Sequence, residues 1–181
     1  VGVDSIAVLG IETTHRETVL NELAVSKGGL LTARRIEQSR QRLLELGIFR
    51  FVDVAPVFLD SKAPERATLR IRVGERKRSW IGAGAGFNSN QNLRVSAEKG
   101  WRNLGGRGRR LLVAAKLDQS LNRDFRGGGI RFKEGEARVG YVSPHVLGTR
   151  NRGILSSYVN WLRESTFDKR TLGGAATLRR E

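Results

Sequence analysis

Apolar residues recur at two different spacings along this chain, and the change falls near residues 75–81. Upstream, short alternating runs frame two segments of helical period. Ile6, Val8 and Ile11 mark a first strand, interrupted at Gly10 as a bulge would interrupt it. Thr14-His15-Arg16-Glu17 has capping-box spacing, a hydroxyl at the N-cap and a carboxylate three residues on. Val19, Leu20, Leu23 and Ala24 then predict a helix that Gly28-Gly29 ends, since the position after a helix takes a positive φ. Thr32 is the N-cap of a second helix, with Ile36, Leu43 and Leu44 as its stripe, Gly47 as its stop, and Ile48 and Phe49 as anchors. Residues 51–59 read as a strand. Pro56 has no N–H to donate, which places that strand at a sheet edge. Residues 60–65 are a turn. Ala67, Leu69, Ile71 and Val73 then alternate with Arg66, Arg70 and Arg72 on a strand with one buried face. The order is β-α-α-β-β.

Downstream the helical period disappears. Trp80-Ile81-Gly82-Ala83-Gly84-Ala85-Gly86-Phe87 opens a series of alternating strands. Its Gly-x-Gly pattern is not a dinucleotide fingerprint, because the turn Asn88-Ser89-Asn90-Gln91-Asn92 follows where a helix is required. Apolar and polar residues alternate in 93–98 and in 110–118, where Leu111, Val113, Ala115 and Leu117 form one face and Arg110, Lys116 and Asp118 the other. Residues 130–133 and 137–141 have opposite phase, which predicts a bulge or turn near Gly135. Residues 154–163 and 171–179 complete six candidate strands. Alternation of this kind suits a membrane-spanning wall or a soluble sandwich. Trp80, Phe87, Trp101, Tyr141 and Trp161 fall near strand ends, where aromatic girdles sit.

Composition narrows the choice. The 181 residues suffice for one ordinary domain or two small ones, and no run approaches the ~18 apolar residues of a membrane helix. There is no cysteine, so disulfides and thiolate metal sites are excluded. His15 and His145 stand in separate segments without ligand spacing. The net charge of +15 suits a polyanion such as nucleic acid or anionic lipid, although the arginines are spread over nearly every element as on a solvated face. No nucleophile–base pair, paired acid or phosphate cradle is visible, so the chain is expected not to be an enzyme and to need no cofactor or metal. No signal peptide is visible at Val1; the chain begins within a strand-like run, and any export signal is expected upstream.

Specific motifs identify a family. Arg42-Leu43-Leu44-Glu45-Leu46-Gly47-Ile48-Phe49 followed by Val52-Asp53-Val54 resembles the helix-to-strand signature of a POTRA domain, and Val73-Gly74-Glu75-Arg76 resembles the end of its last strand. Such modules precede the barrel in outer-membrane insertases of the BamA and TamA type. Trp101-Arg102-Asn103-Leu104-Gly105-Gly106-Arg107-Gly108 resembles a turn after the second barrel strand of that family, with Gly105 in place of the usual aromatic. Gly140-Tyr141-Val142-Ser143-Pro144-His145-Val146-Leu147-Gly148 resembles the exit of strand four, with His145 and Val146 in place of the expected ring. An RGG-like RNA contact at Gly106-Arg107-Gly108 is the competing reading of the first motif.

The resemblance implies an α+β POTRA domain at 1–78, followed at 79–181 by an antiparallel transmembrane β-barrel of which about six strands are present. Family barrels have sixteen, so the chain is expected to be part of a longer polypeptide. The function implied is assembly of outer-membrane proteins. A client strand would add to the edge Phe51, Val52, Asp53, Val54, Ala55 and Val57 by β-augmentation. The strand Ile81, Gly82, Ala83, Gly84, Ala85, Gly86 and Phe87 would border a lateral gate and template the client. Arg102, Asn103, Leu104, Gly106, Arg107, Gly108 and Pro144 are the family turn positions. The implied partners are unfolded β-barrel clients, a bilayer with lipopolysaccharide, and accessory assembly subunits. The implied location is the outer membrane of a Gram-negative bacterium, with the POTRA domain in the periplasm. A secretion channel of the same superfamily, a membrane-anchored enzyme with its catalytic domain upstream, and a basic soluble nucleic-acid-binding protein are the alternatives.

Overall fold

The computed structural model describes residues 1–58, 66–87, 92–120, 132–146, 148–149, 151–163 and 166–180. The chain divides into two units. The first is Val1–Arg78 with Arg102–Arg109, and the second is Ser79–Trp101 with Arg110–Glu181.

The first unit contains β1 (Gly2–Leu9), α1 (Arg16–Leu20), α2 (Ala33–Glu45), β2 (Phe49–Val57) and β3 (Arg66–Glu75). Its three-stranded sheet has the order β1-β3-β2, with β1 parallel and β2 antiparallel to β3. The central strand carries the alternation predicted for it: Ala67, Leu69, Ile71 and Val73 are buried while Arg66, Arg70 and Arg72 are exposed. Val3, Val19, Leu23, Val25, Leu43, Leu46, Ile48, Phe49, Val52 and Val54 complete the core. Burying each large side chain of this set contributes roughly 1.5–3 kcal/mol. Thr32 caps α2, its hydroxyl accepting from the Arg35 amide at 3.3 Å, and Gly47 leaves the helix at φ +69°. β2 lies at the sheet edge, as Pro56 requires. Leu59 and the turn 60–65 lie outside the described residues.

Three local expectations are corrected. The first helix is five residues long, begins after His15 without a side-chain cap, and ends at Leu20. Thr14 is not its cap, because its hydroxyl accepts from Asn103 at 2.8 Å. Further helix is prevented at Ala24, whose amide donates to Ser39 Oγ at 3.0 Å. Gly28-Gly29 therefore turns the chain onto β1, with Gly28 N donating to the Val3 carbonyl and Val3 N to the Gly29 carbonyl. Gly10 lies just beyond β1, at φ +83°, where a Cβ would strike the Val73 carbonyl. The register shift of β1 falls instead between Val3 and Ser5.

The second unit is a six-stranded sheet, β4 (Ser79–Phe87), β5 (Asn92–Leu104), β6 (Arg109–Ser120), β7 (Phe132–Ser143), β8 (Asn151–Arg163) and β9 (Asp168–Arg180), in sequential order. The ladders β4–β5, β6–β7, β7–β8 and β8–β9 are antiparallel. The sheet is not closed: β4 and β9 are its two edges. Residues 105–108 join β5 to β6 and fall in the first unit. The phase change predicted near Gly135 is a register shift between Phe132 and Glu134, while Gly135 pairs regularly with Leu117 and Trp161. The turn 88–91 lies outside the described residues.

Candidate functional site

The two edges of the first sheet are not equivalent. β1 is already partnered on its outer side: Leu31 N donates to the Val1 carbonyl at 2.8 Å, the chain at Gly28-Gly29 bonds Val3, and the Arg16 guanidinium bonds the Ile6 carbonyl at 2.9 Å. On β2, Arg76 bonds the Ile48 carbonyl through its amide and the Phe49 carbonyl through Nε. Beyond that point, among the described residues, only β3 bonds the backbone of residues 50–57. Of the predicted edge residues, Val52 and Val54 point their side chains into the core. Phe51 and Asp53 stand on the opposite, solvent face, with Phe51 over Gly74 and Asp53 Oδ2 3.7 Å from Arg72. What β2 can offer a partner strand is therefore its backbone.

The six-stranded sheet has two chemically distinct faces, because paired residues on neighbouring strands share a side and successive residues alternate. One face carries Ile81 and Phe87 of β4, Val95 of β5, Val113 of β6, Val139 of β7, Leu155 of β8, and Leu172 and Leu178 of β9. These side chains are exposed, Ile81 by 76%, Phe87 by 74% and Leu172 by 82%. The other face carries Glu98, Lys116, Glu134, Glu136 and Arg138, with Arg94 donating to both Asp118 oxygens at 2.7 Å. Of the predicted girdle aromatics, Phe87, Trp101, Tyr141 and Trp161 share the apolar face. Trp80 does not: it lies on the polar side, seated over Gly100. Trp161 over Gly135 is a ring-on-glycine pair on the apolar side.

The predicted gate strand β4 pairs along its whole length with β5 and has its other edge free among the described residues. Ile81, Ala83, Ala85 and Phe87 lie on the apolar face, and Gly82, Gly84 and Gly86 on the other. A Cβ on Gly82 would come within 3.0 Å of the Glu98 side chain and one on Gly84 within 3.1 Å of Ser96 Oγ, whereas one on Gly86 would meet open space.

The turn motif proves to be a structural part of the first unit. Asn103 adopts φ +57°, a conformation Asn tolerates better than most residues. Its Nδ2 donates to Thr14 Oγ1 at 2.8 Å, and its Oδ1 accepts from Gly108 N at 2.9 Å. The Gly106 carbonyl accepts from His15 N at 2.9 Å and from Thr18 Oγ1 at 3.0 Å. A Cβ at Gly106 would lie 2.6 Å from the Thr13 carbonyl oxygen, so the approach requires glycine. Arg102, Leu104 and Arg107 flank this contact. Pro144 sits apart, in the β7–β8 turn, where Ser143 Oγ donates to the His145 carbonyl at 2.9 Å.

The sequence reading missed the anchor of this network. Glu75 Oε1 accepts from the amides of Glu12, Thr13 and Thr14 at 3.0, 3.1 and 2.9 Å, and Oε2 accepts from Thr13 Oγ1 at 2.6 Å. Partial burial pushes the Glu75 carboxyl up, but the bonds from Thr13 and Thr14 outweigh it and bring it down to about 2. The adjacent hydroxyls Thr13-Thr14 were the one local signal; their partners lie some 60 and 90 residues away.

The family model described as POTRA, surface antigen variable number repeat, matches residues 1–76. Residues 1–76 are a POTRA domain. No curated protein matches the chain. Among solved structures, BamA from Haemophilus ducreyi lacking POTRA domains 1-3 resembles it with a TM-score of 0.71 and 17% identity, over 98% of this chain and 32% of that one. CdiB from Acinetobacter baumannii resembles it with a TM-score of 0.62 and 13% identity, over 96% of this chain and 33% of that one. The chain thus spans about a third of either, and likeness at this identity is a likeness of fold: a POTRA domain followed by antiparallel strands.

Proposed function

We propose that this chain is the membrane-proximal part of an outer-membrane protein assembly factor. Its POTRA domain occupies 1–78 in the periplasm of a Gram-negative bacterium, and 79–181 are the opening strands of a transmembrane barrel. One observation carries the reading: apart from Tyr158, every large exposed apolar side chain on β4–β9 lies on one face of the sheet. In water each would forgo roughly 1.5–3 kcal/mol of burial. Lipid removes that cost, and the polar face then lines a water-filled lumen. A soluble sandwich needs a second sheet over this face, and the described residues of the second unit supply one sheet only. A nucleic-acid-binding role would leave the apolar face unexplained.

In this reading the chemistry is strand pairing, with no bond made or broken and no cofactor. The bare backbone of β2 receives an extended segment of an unfolded client barrel. The free edge of β4, short of side chains at Gly82, Gly84 and Gly86, pairs with client strands as they enter the bilayer. Lipopolysaccharide-containing lipid and accessory assembly subunits are the surrounding partners. Secretion of one large partner is the second reading, favoured by the likeness to CdiB.

The test uses the full-length protein extracted in detergent. A fast-migrating unboiled band that slows on boiling is expected, and a protein that stays soluble without detergent and shows no shift overturns the barrel. Gly86→Val is then the cleanest probe of the gate, because the added side chain meets no neighbour. It stiffens β4 and should slow client insertion into vesicles; insertion at the wild-type rate would remove β4 as the template.

A further inference from the structure

The +15 net charge finds no use in the features above. The polar face of the sheet holds only a small part of it: Arg94, Arg110, Lys116, Arg138, Arg152, Lys169 and Arg179 stand there with Glu98, Asp118, Glu134 and Glu136, seven cations against four carboxylates. The densest run of cations is Arg76, Lys77 and Arg78 between β3 and β4, with Arg102, Arg107 and Arg109 around the β5–β6 turn. All six belong to the first unit. Hydrogen bonds bring the two segments together: Arg102 N donates to the Arg78 carbonyl at 2.6 Å and Arg102 Nη1 to the Lys77 carbonyl at 3.5 Å. No Asp or Glu occurs in residues 76–97 or 99–117. The preceding carboxylate, Glu75, is engaged by Thr13 and Thr14. Lys77, Arg78, Arg107 and Arg109 have no ion-pair partner among the described residues.

The same cations stand at the foot of three strands. β4 begins one residue after Arg78, β5 runs through Arg102, and β6 begins at Arg109. The Ser79–Trp101 pairing puts the β4 and β5 ends side by side, and the apolar face starts at once with Ile81, Trp101 and Leu111. Cations packed where a chain enters an apolar wall meet phosphate at headgroup depth, where each Lys or Arg contributes about 1 kcal/mol toward an anionic surface. Arg adds a fork that fits phosphate oxygens. Trp101, next to Arg102, is the aromatic that belongs at that depth.

We propose that Arg76, Lys77, Arg78, Arg102, Arg107 and Arg109 form a binding surface for anionic phospholipid headgroups in the leaflet that β4–β6 enter. The inference rests on the membrane reading above.

Native mass spectrometry of the full-length protein in detergent, with phosphatidylglycerol and phosphatidylcholine supplied in equal amounts, tests it. The protein should retain the anionic lipid preferentially. In the variant K77S/R78S/R107S/R109S the ratio should fall by at least about tenfold, since one cation at the surface is worth about fivefold. Among the described residues these four side chains make no bond to the fold, so the heat-dependent mobility shift should survive. The charge-conserving variant R78K/R107K should keep the preference. Equal retention of the two lipids, or a preference that persists in the quadruple variant, overturns the proposal while leaving the barrel standing. Displacement of lipid by an acidic peptide that then binds tighter than phosphatidylglycerol overturns it in favour of a protein partner. A protein with no mobility shift overturns the membrane reading and this inference with it.

Discussion

The POTRA sheet and the six-stranded sheet carry the same alternation of apolar and polar residues and use it in opposite ways. On β3, Leu69 and Ile71 are fully buried, covered by side chains from α1 and α2 and the segments beside them. On β4 and β9, Ile81 and Leu172 stand open, and no helix lies among the described residues of that unit. Alternation says only that one face of a strand is apolar. What covers that face is set by the rest of the chain: two helices in one case, and in our reading lipid in the other. The difference also explains why the second region can tolerate so many glycines. A sheet without a packed layer on it needs side chains less for cohesion, and rings such as Trp161 over Gly135 occupy the space that the missing side chains leave.

The largest effects should separate the two regions. Leu69→Ala leaves a cavity in a closed core and should cost about 2–5 kcal/mol. Leu172→Ala, at a side chain that is 82% exposed, leaves no cavity: it should cost within about 0.5 kcal/mol if that face meets water, and up to roughly 1.5–3 kcal/mol, the burial in lipid that the side chain gives up, if it meets the bilayer. A charge inverts the test. Val113→Lys, on the apolar face of β6, should cost roughly 2–4 kcal/mol if that face meets the bilayer midplane, and within about 0.5 kcal/mol if it meets water. Denaturant titration of the full-length protein refolded into vesicles gives all three values. A neutral Val113→Lys would make the two regions differ in packing but not in solvent.

Glu75 comes next, because it ties the end of β3 to the loop 12–14. Its carboxyl sits at about 2 in the fold, against an ordinary value of 4.5. A depressed carboxyl stabilises the fold above its unfolded pKa. That stabilisation, up to about 3 kcal/mol, is therefore complete at neutral pH, declines as pH falls below about 4.5, and is gone below about 2. Glu75→Gln should lose it at pH 7 and flatten the acid limb. Hydrogen exchange of residues 12–18 reads this locally; strands β7–β9 should not respond, and a response spread equally over both regions would count against the anchor.

The β-α-α-β-β order, the edge position of β2 and all six later strands were legible because each is a local pattern of five to thirteen residues. The apolar face of the six-stranded sheet was legible only as alternation, since sequence does not say which strands share a side; the register does. The Thr14 cap failed for a related reason. Thr14 has the right spacing to cap α1, but Asn103 claims its hydroxyl from 89 residues away. Competition between a local and a distant partner for one hydroxyl leaves no trace in local sequence. The same holds for Arg102-Asn103-Leu104, which reads as a barrel turn and packs as part of the POTRA unit.

That last residue gives the smallest and most discriminating comparison. Asn103 contributes through two separable terms: hydrogen bonds to Thr14 and Gly108, and a φ of +57° that most side chains resist. Asn103→Gly removes the bonds but adopts the conformation freely, and should cost about 1–2 kcal/mol. Asn103→Ala removes the bonds and adds the left-handed penalty, about 1 kcal/mol more. If the turn 102–109 belongs energetically to the POTRA unit, both variants should speed exchange at residues 12–18, alanine more than glycine. Exchange in β7–β9 should stay at the wild-type rate. If instead the substitutions loosen β7–β9 and spare residues 12–18, the turn is a barrel element that merely lies against the POTRA fold, and the boundary between the two regions follows the sequence after all.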